Sequence, residues 1–130
     1  MKARFLYALA FAFSAQAGVA EKKIILPSGQ VIEFFETRVE AETDTVRLRF
    51  IAPDIASPLT RPSFEEMSLD LEALCTEYGL KTALKDGPVP AQIVISLSAE
   101  PIEFGVSNAD VEQDFEAFSV ENETCILEMF

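Results

Sequence analysis

Two cysteines, 22 carboxylates and no histidine bound the chemistry open to this chain of 130 residues. Without histidine there is no Ser-His-Asp or Cys-His nucleophile and no histidine-ligated zinc. The sequence also lacks a GxSxG elbow, a P-loop and a GxGxxG turn. Catalysis would have to rest on carboxylates, lysine, tyrosine or the cysteines. Paired carboxylates can hydrolyse glycosides, but no spacing selects one pair, and there is no tryptophan on which a sugar could stack.

The densest acidic stretch is Asp110-x-Glu112-x-Asp114-x-Glu116, with Glu121 in twelfth place counted from Asp110. It echoes a calcium loop, but the sixth place, where the sharp turn needs glycine, is Phe115. Asp110, Glu112 and Asp114 are thus an incomplete calcium motif, set against a solvated acidic face. The basic residues are bunched: Arg38, Arg47, Arg49 and Arg61 fall within 24 positions. Arg47 and Arg49 point the same way from one strand, and Arg38 lies on the strand before it. Together these three form a candidate patch for an anion or a partner. The alternative is cross-strand pairing with Glu33, Glu36 or Glu40.

The first residues read as a secretory leader. Lys2 and Arg4 supply positive charge, Phe5 to Ser14 is apolar up to its last residue, and Ala15-Gln16-Ala17 sets small residues at a cleavage site. Cleavage after Ala17 is expected, with an alternative after Ala20. The apolar run is shorter than the roughly 20 residues of a membrane-spanning helix; an uncleaved anchor is the competing reading. Residues 18–130 then form one domain in the periplasm or outside the cell. Loss of Lys2 and Arg4 leaves eight basic residues against 22 acidic ones, a net charge of −14. That balance opposes nucleic acid and anionic membranes and suits a basic partner. In an oxidising compartment Cys75 and Cys125 are expected to pair; free thiols or a redox pair are the alternatives. A bridge would close a loop of about 50 residues, worth about 4 kcal/mol on the chain-entropy model.

These residues need elements to position them. Lys23 to Leu26 and Val31 to Val39 read as strands around the turn Pro27-Ser28-Gly29-Gln30. Thr45 to Ala52 alternates cleanly: Val46, Leu48, Phe50 and Ala52 share one face, Thr45, Arg47 and Arg49 the other. This predicts a sheet covered on one side only. Ser63-x-x-Glu66 is a capping box. Phe64, Met67, Leu71, Leu74, Cys75 and Tyr78 follow at helical spacing, with Asp70, Glu72 and Glu77 mainly elsewhere. Gly79 is placed to end a helix over about 64–78. Gln92 to Ser98 reads as a central strand, continued by Ile102 to Phe104. A short helical turn is expected near 108–113, then a strand, a hairpin at Asn122 and a last strand over Thr124 to Met129. The fold class is α+β: a small, mainly antiparallel sheet with strand-rich N- and C-terminal parts and one principal helix on one face. A Cys75–Cys125 bridge would pin that helix to the sheet.

The segments LPSGQ at 26–30, RFIAPDI at 49–55, LDLEALC at 69–75, QIVISLS at 92–98, and FEAF to TCILEMF at 115–130 resemble a small, uncharacterised family of exported alphaproteobacterial proteins. Members sometimes carry an automatic acetolactate synthase label. A chain this short, read as exported, gives that label no support, and the resemblance brings no catalytic residues with it. The expectation is a non-enzymatic binding or interaction domain without a cofactor, acting on a protein or small molecule. The alternatives are a carboxylate-based or calcium-dependent hydrolase and an inhibitor of a periplasmic enzyme.

Overall fold

The computed structural model describes residues 22–85 and 87–129; the expected leader lies outside the described residues. Six strands form one sheet: β1 (Lys23–Ile25), β2 (Val31–Glu40), β3 (Thr45–Ile51), β4 (Gln92–Ser98), β5 (Gln113–Glu121) and β6 (Thr124–Leu127). Their spatial order follows their chain order. Neighbouring strands are antiparallel except β3 and β4, which run parallel. The sheet is therefore mixed rather than wholly antiparallel. A parallel pair needs a crossover, and the helix lies in that crossover. It is laid across the face bearing Leu48, Phe50, Ile93, Ile95 and Phe118, against which Met67, Leu71 and Leu74 pack.

The helix begins as the sequence predicts. Ser63 Oγ accepts from the Glu66 N–H at 3.1 Å, and the Ser63 N–H donates to Glu66 Oε1 at 3.0 Å. Its end differs. Segments α1 (Phe64–Leu74) and α2 (Leu80–Lys85) are joined by a π turn, Cys75–Gly79, into one helix of 22 residues. Gly79 is no stop signal but a point of close approach. A Cβ added there would lie 3.1 Å from Ile93 Cγ2 and 3.5 Å from Ile95 Cδ1, both on β4. One helical turn earlier, Cys75 is bonded to Cys125 on β6, so the expected pairing is formed and ties helix to sheet.

Asp70 also departs from expectation, being fully buried. The turn Pro27–Gln30 reaches over the helix and surrounds its carboxylate. The Ser28 N–H donates to Oδ1 at 3.0 Å; Ser28 Oγ and Gln30 Nε2 donate to Oδ2 at 2.5 and 2.8 Å. Gly29 holds the turn at φ +99°, a conformation that favours glycine. Helical spacing alone placed Asp70 off the core because its donors come from a turn some 40 residues away in the chain. Phe64 errs the other way: it opens the helix and stands 84 % exposed.

The outer face of the sheet is not left open. Residues 102–104 do not prolong β4; Pro101, lacking an N–H for the ladder, precedes a segment that turns across the sheet and buries Ile102. The expected helical turn at 108–113 is instead an Asx-type turn. Asn108 Oδ1 accepts from the Asp110 N–H at 3.0 Å and its carbonyl from the Val111 N–H at 3.2 Å, after which β5 starts at Gln113. The last hairpin turns on Asn122 and Glu123, both at positive φ, as a two-residue type I′ turn requires.

Asp70→Ala leaves buried donors of Ser28 and Gln30 without an acceptor. It should cost about 3 kcal/mol in urea unfolding; an unchanged midpoint would contradict the role of this carboxylate.

Candidate functional site

The β2–β3 register sets Arg38 opposite Arg47 and Glu36 opposite Arg49. The three arginines do converge, on the ring of Phe104 carried by the crossing segment. Their guanidinium carbons lie 4.1 Å (Arg38) and 5.5 Å (Arg47 and Arg49) from its centroid, within cation–π range. Each is also matched to a carboxylate. Arg47 Nε donates to Glu40 Oε2 at 2.7 Å, Arg49 pairs with Glu36, and Arg38 lies 3.6 Å from the same Glu36. The second nitrogen of Arg49 donates to the Ile102 carbonyl at 2.6 Å. Glu33 pairs with Lys23 instead. The hydrogen bond from Arg47 holds the Glu40 carboxyl below its usual range. Arg49, only 7 % exposed, thus serves mainly to anchor the crossing segment to the sheet.

The acidic run is split by its surroundings. Asp110 sits in the Asx turn, while Glu112 and Asp114 both engage Arg61, which also donates to the Ile55 carbonyl at 3.1 Å. Among the described residues, no three His, Cys, Asp or Glu side chains are grouped so as to hold a metal ion.

A different place gathers unsatisfied surface. Strand β6 pairs only with the second half of β5, from Phe118 onward, followed by one bond from the Glu128 N–H to the Ala117 carbonyl at 2.9 Å. Among the described residues no further ladder bond to β5 follows on this side, and the first turn of α1 overhangs the first half of β5. Two adjoining hollows of about 200 and 440 Å³ result, sharing Phe64, Ser68, Phe115 and Glu116; Leu127, Glu128 and Met129 line the larger. Phe64 and Met129 are both 84 % exposed, whereas Phe115, 63 % exposed, alternates onto the opposite face of the sheet beside Ser96. Large apolar groups left bare around one hollow mark interaction surfaces.

Glu116 lies where the two hollows meet. The register pairs it with Ile95, and so sets it on the core side of the sheet. Ser68 Oγ donates to its Oε2 at 3.3 Å, whereas Oε1 is buried without a hydrogen-bond partner. Burial pushes this carboxyl above its usual range; the Ser68 hydrogen bond offsets part of that, and the charges of Asp114 and Glu72 add to it. Among the described residues no cation pairs with Glu72, Glu116 or Glu128. Sequence reasoning counted Glu116 as one more member of the acidic run. The usable signal was the alternation Phe115-Glu116-Ala117-Phe118, which sets Glu116 on the face of Phe118.

An acid whose folded-state pKa is raised costs stability once ionised, and the cost fades as pH falls and the group protonates in both states. Glu116→Gln keeps an acceptor for Ser68 and removes the charge. It should therefore melt higher than the parent near neutral pH, the gap closing below the ordinary glutamate range. A lower melting temperature near neutral pH would contradict the burial of an unpaired carboxylate.

No curated protein and no solved structure is significantly similar to this chain. A family model matches nearly the whole of it, over residues 8–130. The Asp70 clamp and the bridged helix lie within that match, and the chain belongs to the family of unknown function DUF6497.

Proposed function

We propose that this protein is an exported, non-enzymatic binding domain whose partner-facing surface is the groove between the start of α1 and the first half of β5. The observation that carries this reading is the groove itself. Phe64 and Met129 remain exposed around it, although the same helix and sheet bury many other large apolar groups in a continuous core. Interaction surfaces are enriched in aromatic residues and methionine, with polar groups at the rim. The groove joins such side chains to Ser68, Glu116 and Glu128.

Export is supported by the basic and apolar pattern of residues 1–17 and by the Cys75–Cys125 bridge, which suits an oxidising compartment. A carboxylate-based or calcium-dependent hydrolase draws less support, because Glu112 and Asp114 are tied to Arg61, and Asp70 to Ser28 and Gln30. Inhibition of a periplasmic enzyme is the binding reading with an enzyme as partner.

Photo-crosslinking in cells tests the reading. A photoreactive phenylalanine analogue at position 64 or 129 should give discrete adducts, and the same group in place of the exposed Glu77 should not. The crosslinked chain should be recovered from the periplasm beginning at Gly18 or Glu21. No adducts from the groove, or equal adducts from position 77, would overturn the binding surface; a chain kept in the cytoplasm with its leader would overturn export.

A further inference from the structure

The two hollows at the start of α1 meet at one carboxylate. Glu116 lines both, and so does Ser68 beside it. Volumes of about 200 and 440 Å³ together suit a small organic molecule. The walls are largely apolar: Met67 and Leu71 in the smaller hollow, Leu127 and Met129 in the larger, with Phe64 common to both. An apolar hollow with a few convergent polar groups is the usual form of a small-molecule site.

Charge selects the ligand. Glu116 Oε1 is buried without a hydrogen-bond partner, and Oε2 receives one bond, from Ser68 Oγ at 3.3 Å. An ionised carboxylate has room for roughly four. Asp114 and Glu72 add negative charge around it. Arg61 lines the smaller hollow but is committed to Glu112, Asp114 and the Ile55 carbonyl. A cation is the group this place lacks. A metal ion draws on several oxygen ligands at once, and among the described residues no three side chains are grouped to supply them. A primary ammonium asks for less. Its three donors sit on one nitrogen, and the Glu116 oxygens and Ser68 Oγ can each accept from it. The last torsion of a glutamate is soft, so a small rotation brings Oε1 to the hollow.

Resting on the binding reading above, we propose that the groove is a site for a small organic cation: a primary amine carried on an apolar body. The ammonium sits against Glu116 and Ser68, and the body against Phe64, Leu127 and Met129. The ammonium supplies the charge-assisted hydrogen bond that Glu116 lacks, and the body covers apolar surface that the fold leaves bare.

Calorimetric titration of the purified protein near neutral pH, with phenylbutylamine and with its neutral counterpart phenylbutanol, tests this. The parent should bind the amine about 10-fold or more tightly than the alcohol. The Glu116→Gln variant should bind the two about equally. Glu77→Gln, which removes an exposed charge elsewhere on the helix, should bind as the parent does. The double variant Phe64→Ser, Met129→Ser should weaken both probes. Equal binding of amine and alcohol to the parent, or an amine preference that persists in Glu116→Gln, would overturn the cation claim and leave the groove standing. Binding undiminished by the double variant, or no binding of either probe, would overturn the small-molecule site. Protein crosslinks from positions 64 and 129 would in that case still uphold the binding surface.

Discussion

How closely the helix can sit on β4 governs the rest of this structure. At Gly79 a single added carbon would press on Ile93 Cγ2 at 3.1 Å, and interiors packed to crystal density do not absorb such a group without cost. The π turn that contains Gly79 also contains Cys75, whose bond to Cys125 reaches the edge strand β6. Helix, central strand and edge strand are thereby locked at one point. π turns occur mostly as single turns inside α-helices, and here one falls where Gly79 closely approaches β4.

From that point toward its N-terminus the helix has two separate tasks. In its first half, Asp70 is gripped by Ser28 and Gln30, which fastens the β1–β2 turn over the helix. A fully buried carboxylate is tolerable because three donors converge on it. A few residues earlier, the first turn of α1 runs past the end of β6 and roofs the groove. The contrast between Asp70 and Glu116 is instructive. Both carboxylates lie between helix and sheet, but one is saturated by its own fold and the other keeps an unpartnered oxygen. The first acts as a fastener; the second has capacity left for something outside the fold.

The sequence made the strands, the capping box at Ser63 and the cysteine pairing legible, since each depends on local periodicity or on so few residues that one solution remains. Gln92–Ser98 was readable as a central strand because Ile93, Val94 and Ile95 are apolar on both faces. Other features depend on partners distant in the chain. Gly79 looked like a helix end because its reason for being glycine is Ile93. Asp70 looked exposed because its donors sit in another turn. Arg47 and Arg49 showed a shared direction but not Phe104, which arrives from a segment whose path is set by Pro101 and by the carbonyl of Ile102. The groove was the least legible feature, because it arises from how the first turn of α1 lies over β5 and β6, and nothing local to Thr124–Leu127 announces that.

The Cys75–Cys125 bond holds helix and sheet together beside the Gly79 contact. Urea unfolding of the protein, intact and after reduction and alkylation, tests it most directly. The bridged form should resist alkylation and be more stable by about 4 kcal/mol. Two cysteines that alkylate without reductant, or coincident unfolding curves, would contradict it.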